Sequence, residues 1–476
     1  MTAYFSVQKL CVDAIGAPRS RLVRDVTLEI APGGALTLLG ESGSGKSLLA
    51  QAVMGSLPAG LAASGAVGIG AHRSDAGDAR ARRGLWGRQL ALLPQEPWLA
   101  LDPTMRVREQ IAETHELVAG LGEREAAAAA ETGLARLGMA GAAAQFPFQI
   151  SGGMAQRVAF LATHAAGAPM LIVDEPTKGL DADRRGDVLA MLRAALADGV
   201  TLLTITHDVW LARQLGGDVA VMLDGVIVEQ GAARTVLAAP EHAYTQRLLA
   251  AEPAAWPQAH GVPDGPTDGD GAIVATIDGV AKRFGAQPLF SGVSAVLRRG
   301  ECVAVTGPSG SGKTTFGNIV LGLLKPDTGS VQRAGGLART AFQKLYQDPA
   351  AAFAPTVTLR RALQDVIALH RLSWDELHAV LARLRLRPEL LDRLPAHVSG
   401  GELQRFALAR VLMLRPALIF ADEPTSRLDP VTQQETLALL VDHARSTQCA
   451  VLLVTHDPDI AARLAQRTIL LSALSH

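Results

Sequence analysis

The sequence predicts an α/β protein built from two tandem copies of one domain, each a mainly parallel core sheet with a helical subdomain. Three observations predict it. A Gly-rich loop occurs twice, GESGSGKS at 40–47 and GPSGSGKT at 307–314. Each loop follows a short apolar run that reads as a buried strand (35–39 and 302–306) and precedes a segment that reads as a helix. Later motifs then repeat at a nearly constant offset: 248 residues from Ser151 to Ser399 and from Asp174 to Asp422, and 249 from His207 to His456.

The strand–loop–helix context is what turns a Gly-rich pattern into a phosphate cradle. The glycines let successive backbone N–H groups converge on phosphate oxygens, and the helix N-terminus adds its positive dipole end. The residues expected to line the two cradles are Gly40, Ser42, Gly43, Gly45, Lys46 and Ser47, and Gly307, Ser309, Gly310, Gly312, Lys313, Thr314 and Thr315. Lys46 and Lys313 suit β- and γ-phosphates, and the Ser47 and Thr314 hydroxyls suit Mg²⁺.

After each loop comes a glutamine followed by an acid and a proline, Gln95 and Gln347, offset by 252 residues against 267 for the lysines. The second copy is therefore shorter just after its loop, and the additional stretch in the first, 65–87, reads as surface loop from its Gly, Ala and Arg content. Ala-, Glu- and Leu-rich residues 120–144 and Leu/Arg-rich residues 371–394 read as the helical subdomains. Each leads to Ser-Gly-Gly, at 151–153 and 399–401, where serine is a good N-cap and free backbone donors suit a phosphate.

Two further apolar runs end in paired acids, Asp174-Glu175 and Asp422-Glu423. A strand delivers the first carboxylate to the floor of a site, where it can hold a Mg²⁺ shell. The second can orient or deprotonate an attacking water. His207 and His456 end the next runs, 33 and 34 residues beyond Asp174 and Asp422, where each can meet a γ-phosphate or the water. Any one of these signals is common as an ordinary turn or strand end. In this order, twice, they are not.

Between the copies the Pro-, Gly- and Asp-rich stretch 253–271 reads as a linker, which places the first domain at 1–252 and the second at 272–476. The charge balance, 45 basic to 46 acidic residues, gives no footprint for nucleic acid. Three scattered cysteines without CxxC spacing argue against a disulfide or zinc framework and fit a reducing cytosol. With neither a signal segment nor a long apolar run, any membrane role is expected to come through partners.

The combination resembles the ATP-binding cassette (ABC) ATPases over nearly the whole chain. The Ser-Gly-Gly helices look like that family's signature, Gln95 and Gln347 like its Q-loops, and 179–181 and 427–429 like its D-loops. The resemblance implies ATP and Mg²⁺ as cofactors, with Ser47, Thr314, Gln95, Gln347, Asp174 and Asp422 around the metal, partly through water. It implies Glu175, Glu423, His207, His456, Gln95 and Gln347 as the catalytic set. It also implies that the two cassettes pair within the chain. Lys46, Asp174, Glu175 and His207 would then work with Ser399, Gly400 and Gly401, and the second set with Ser151, Gly152 and Gly153. Since neither set is degraded, two hydrolytically competent sites are expected.

Phe284, 29 residues before Lys313, fits the family's adenine-stacking aromatic, whereas the matching stretch around Ala14 and Ile15 has no ring. The second copy ends early, which makes a regulatory C-terminal domain an unlikely expectation. Within the family, QEPWLALDP at 95–103, SGGMAQR at 151–157 and PEHAYTQRLL at 240–249 resemble importer ATPases for dipeptides, oligopeptides and nickel. That implies two integral-membrane permeases, an extracytoplasmic binding protein and a place at the cytoplasmic face of the inner membrane. Thr177-Lys178-Gly179 leans towards nickel or a metal chelate. The alternative is a soluble ABC ATPase of ribosome, DNA-repair or multi-subunit enzyme type. The short linker, neutral charge and missing zinc-type cysteines weigh against it.

Overall fold

The computed structural model describes residues 3–16, 20–178, 180, 182–257, 272–285, 287–308, 310–426 and 428–471. The expectations placed on Gly179, Asp181, Ser309, Arg427 and residues 258–271 lie outside these. The chain forms two compact units, Met1–Leu249 and Ala250–His476.

In the first unit, strand Ala35–Leu39 is flanked by Thr201–Thr206 and Asp218–Leu223. Outwards lie Met170–Asp174 and Leu90–Leu93 on one side and Val226–Ala232 on the other. All neighbours run parallel except the last hairpin. Strand Thr201–Thr206 is buried along its whole length, as a parallel strand covered on both faces must be. A second, antiparallel sheet is ordered Arg21–Ile30, Phe5–Ala14, Leu61–Ile69, His72–Asp75. One core, including Phe5, Leu10, Leu38, Leu49 and Ile172, joins this sheet, the core sheet and the helix Lys46–Met54. Another, including Ile111, Leu134, Phe160 and Leu171, joins the core sheet to the helical subdomain.

The second unit repeats the plan with five parallel strands, ordered Phe342–Leu345, Leu418–Asp422, Ala450–Val454, Cys302–Thr306, Arg467–Leu470. Its antiparallel sheet has three strands, Gln287–Arg298, Ile273–Phe284 and Thr328–Arg333.

Three readings change. Residues 65–87 are not a surface loop. They complete strand Leu61–Ile69 and supply strand His72–Asp75 and a short helix, Ala79–Arg83. Arg82 there is fully buried and donates to the Ser74 hydroxyl and to the carbonyls of Ala52, Asp75 and Ala76, at 2.7–3.1 Å. The cation is tolerated because each contact is a well-formed hydrogen bond. The helical subdomains also begin earlier than their composition suggests, with Val107–Leu117 and Leu359–His370 preceding Glu123–Arg136 and Trp374–Arg383. Finally, the stretch read as the start of the linker is structured. Pro253–Ala255 forms a 3₁₀ turn, Trp256 is buried in the second unit's core, and Arg463 donates to the Ala254 carbonyl at 2.8 Å.

Candidate ATP sites

Each loop bends where its strand ends and its helix begins at the lysine. Gly45 and Gly312, in the left-handed region at φ 103° and 89°, cap the helices Lys46–Met54 and Lys313–Leu321. Gly40 and Gly307 are needed for another reason. A Cβ there would stand 2.3 Å from the Met222 carbonyl oxygen and 2.2 Å from that of Leu471, so only glycine lets the loop press against the neighbouring chain. Both lysines curl back onto their own loops. Lys46 donates to the Gly40 and Glu41 carbonyls, each at 2.8 Å, and Lys313 to Gly307 and Pro308, each at 2.9 Å. The two ammonium groups are thereby held over the cradle.

The acid pairs close the floor. Strand Met170–Asp174 brings Asp174 beside the Ser47 hydroxyl. Burial pushes the Asp174 carboxyl up, and so does Glu175 beside it, against Ser47, Lys46 and Lys178. One oxygen of Asp174, Oδ1, is buried without a hydrogen-bond partner. In the second unit Thr314 Oγ1 donates to Asp422 Oδ1 at 3.0 Å. A hydroxyl paired with a carboxylate, with a bare buried oxygen in the first copy, is an all-oxygen donor set that fits a hard divalent cation such as Mg²⁺.

Glu175 and Glu423 share an uncommon backbone conformation, φ 50° and 45°. Non-glycine residues pay of order 1–3 kcal/mol for such conformations, which are kept where the surroundings over-determine them. Here the Glu175 amide donates to the Ile205 carbonyl at 2.7 Å and that of Glu423 to Val454 at 3.2 Å. The turn thus swings each glutamate out of line with the preceding aspartate. Burial raises the Glu175 pKa, but the nearby His207, with Lys46 and Lys178, more than reverses this and holds the carboxyl below its ordinary value. His207 Nδ1 lies 2.9 Å from that carboxylate and Thr206 Oγ1 donates to it at 3.2 Å. In the second unit Glu423 pairs with His456 Nε2 and accepts from Gln347 Nε2 at 3.1 Å.

The remaining expected residues fall into place less evenly. Ser151 and Ser399 are N-caps of the helices Gly152–His164 and Gly400–Leu412 and lie exposed with Gly152 and Gly400. Ser399 completes a capping box with Glu402, for which the first copy has Met154. Phe284 ends its strand half-exposed, with Lys282 Nζ 5.8 Å from the ring centroid. Ala14 ends the corresponding strand and is followed by exposed Ile15. One contact escaped sequence reasoning. Buried Tyr244, in helix Ala243–Ala250, accepts a 2.8 Å hydrogen bond at its phenolic oxygen from the Glu41 amide of the first phosphate loop. The motif at 240–249 was legible only as a family mark. Its spacing gives no sign that it reaches a loop 203 residues away.

The model of the ABC transporter family matches residues 23–178 and 290–426. The chain belongs to the ABC transporter family. It is 33% identical to an uncharacterised ABC transporter ATP-binding protein, YejF, of Escherichia coli K12, over 94% of this chain and 90% of that one. It is 32% identical to the glutathione import ATP-binding protein GsiA of Salmonella typhi, over 94% and 81%. It is also 32% identical to the peptidoglycan transport ATP-binding protein YejF of Agrobacterium fabrum, over 96% and 88%. The chain is thus a two-cassette ABC ATPase of the importer type, related to the oligopeptide importer ATPases. An archaeal ribosome recycling factor, aABCE1, solved with the ribosomal stalk protein aP1, superposes with a TM-score of 0.67 over 97% of this chain and 87% of that one. At 21% identity this likeness is one of fold. Among the described residues no helix is long and apolar enough to cross a membrane.

Proposed function

We propose that this ATPase powers uptake of a peptide-class substrate through two permease subunits, fed by an extracytoplasmic binding protein, from the cytoplasmic face of the inner membrane. The observation that carries the reading is the intact reacting set in each unit, lysine, hydroxyl, aspartate, glutamate and histidine, in a chain similar over almost its whole length to importer ATPases. The relatives' names speak of glutathione and peptidoglycan transport, which favours peptides over the nickel suggested by Lys178.

In each site the lysine and the backbone N–H groups of the loop would bind the phosphates. Ser47, Asp174 and Gln95, or Thr314, Asp422 and Gln347, would hold Mg²⁺, which when bound neutralises charge on the β- and γ-phosphates. Glu175 or Glu423 would orient the attacking water and take its proton, with His207 or His456 fixing the carboxylate. The signature serine and glycines of one cassette are proposed to complete the nucleotide site of the other.

Coupling to a permease has a physical route in the second unit. A cleft of about 510 Å³ lies between the core and the helical subdomain, lined among others by Leu321, Leu337, Tyr346, Leu369 and Arg410. Tyr346 is adjacent to Gln347, which touches Glu423. A helix seated there would press on Tyr346, whose neighbour Gln347 reaches the proposed catalytic base. Purification from native membranes in mild detergent, followed by mass spectrometry, tests the proposal. Two polytopic permeases in stoichiometric amount are expected. Ribosomal, repair or enzyme subunits in their place would contradict it.

A further inference from the structure

Lys344 stands against the acid pair of the second unit. It is the third residue of strand Phe342–Leu345, three before Gln347, and the same place in the first copy is held by Leu92. Its side chain is only 12% exposed, and Nζ lies 3.2 Å from Asp422 Oδ2, the oxygen not used by Thr314. Nζ also donates to Asn318 Oδ1 at 3.1 Å and stands 5.4 Å and 5.2 Å from the ring centroids of Phe420 and Tyr346.

The surroundings have changed with it. Phe420 takes the place of Ile172, Asn318 that of Gln51, and Gly317 that of Ala50. A Cβ on Gly317 would meet the Phe420 ring at 2.0 Å, so the aromatic wall requires the glycine. In the first copy the same region leaves Asp174 Oδ1 and Gln51 Oε1 buried without partners. The second copy has a matched set of residues around one buried cation.

We propose that Lys344 is a positioning residue of the second ATP site. It holds Asp422 facing Thr314 and offsets its charge, so that this site keeps nucleotide with less dependence on Mg²⁺ than the first. The proposal rests on the reading that both sites take Mg·ATP. A permanent cation on the carboxylate competes with the attraction of a divalent ion for it, and it supplies part of the counter-charge an ATP tail otherwise lacks without metal.

Binding of a fluorescent trinitrophenyl-ATP, titrated with Mg²⁺ or EDTA, tests this without relying on turnover. Chains carrying Lys313→Ala report the first site and chains carrying Lys46→Ala the second. Removing Mg²⁺ is expected to weaken the first site about tenfold more than the second. Adding Lys344→Met to the second-site chain should abolish that difference. Lys344→Gln, which keeps a donor for Asn318, should act in the same direction if the methionine variant folds poorly. An unchanged Mg²⁺ dependence in a folded Lys344→Gln chain would overturn the proposal. Indifference to Mg²⁺ at both sites would overturn the magnesium reading and the proposal with it.

Discussion

In the first unit Asp174 meets Ser47 and keeps one buried oxygen unpaired, while in the second Asp422 has both oxygens engaged, by Thr314 and Lys344. A second contrast lies at the end of the helix behind each phosphate loop. Arg82, from a helix with no counterpart among the described residues of the second unit, donates to the Ala52 carbonyl. Arg333, from a strand of the second, donates to the carbonyl of Ile319, which occupies the equivalent place. The duplicated domains thus keep the lysine, hydroxyl, acid pair and histidine proposed to meet ATP and differ in what supports them. The same backbone carbonyl, which already accepts from Gly55 or Gly322, takes a second hydrogen bond from an arginine in both copies, and two unrelated elements supply it.

The largest effects should fall on the shared groups. Glu175→Gln and Glu423→Gln are each expected to slow phosphate release at their own site by about 100-fold or more, as loss of a general base does. Steady-state assays of both variants with permeases present check this. A marked loss in only one of them would show the sites to be unequal in chemistry as well as in surroundings.

Next come the supports. Arg82→Met strips donors from three buried carbonyls and a hydroxyl and should cost about 3 kcal/mol or more. Arg333→Met, which takes one donor from each of two carbonyls, should cost about half as much. Denaturant melts of each variant read the difference. Equal costs would mean that the two arginines carry equivalent loads after all.

Smaller effects sharpen the contrast at the nucleotide. Phe284→Ala should weaken ATP at the second site by about 1 kcal/mol, the worth of an aromatic stack. Tyr244→Phe should weaken the first by a similar ~1 kcal/mol, through loss of one hydrogen bond to its loop. Isothermal titration of chains with a single working site separates the two.

His443, buried in the second unit beside Arg383, has its pKa lowered by burial, and by that charge, from 6.5 to about 4. Between these values the unfolded chain takes up a proton that the folded chain refuses. Stability should therefore be full above pH 6.5 and fall as the pH drops towards 4. Melting temperatures across that window should decline less steeply in His443→Leu.

Much of this was legible in the sequence because the reacting groups sit at the ends of short apolar strands. The runs 35–39 and 302–306 match the strands residue for residue, and the run read as ending in Asp174-Glu175 stops one residue short, at Asp174, since a buried parallel strand is written as continuous apolar sequence. Arg82 was illegible because its burial depends on carbonyls donated by other elements. The helix Val107–Leu117 is mostly polar and buries only Val107, Gln110, Ile111 and Ala112, too weak a stripe to stand out. Nor does any local pattern mark the left-handed turn at Glu175 and Glu423. It is imposed by a hydrogen bond to the adjacent strand. Lys344 reads as an ordinary polar residue in a short strand until Asp422 is found beside it.

Both cassettes are expected to hydrolyse ATP. Rapid-quench analysis of the chain, assembled with its permeases, loaded with radiolabelled ATP and chased with unlabelled nucleotide, counts the ADP formed per chain in one round. Two are expected, falling to one or fewer in Glu175→Gln and in Glu423→Gln. A single ADP in the unaltered chain would contradict it.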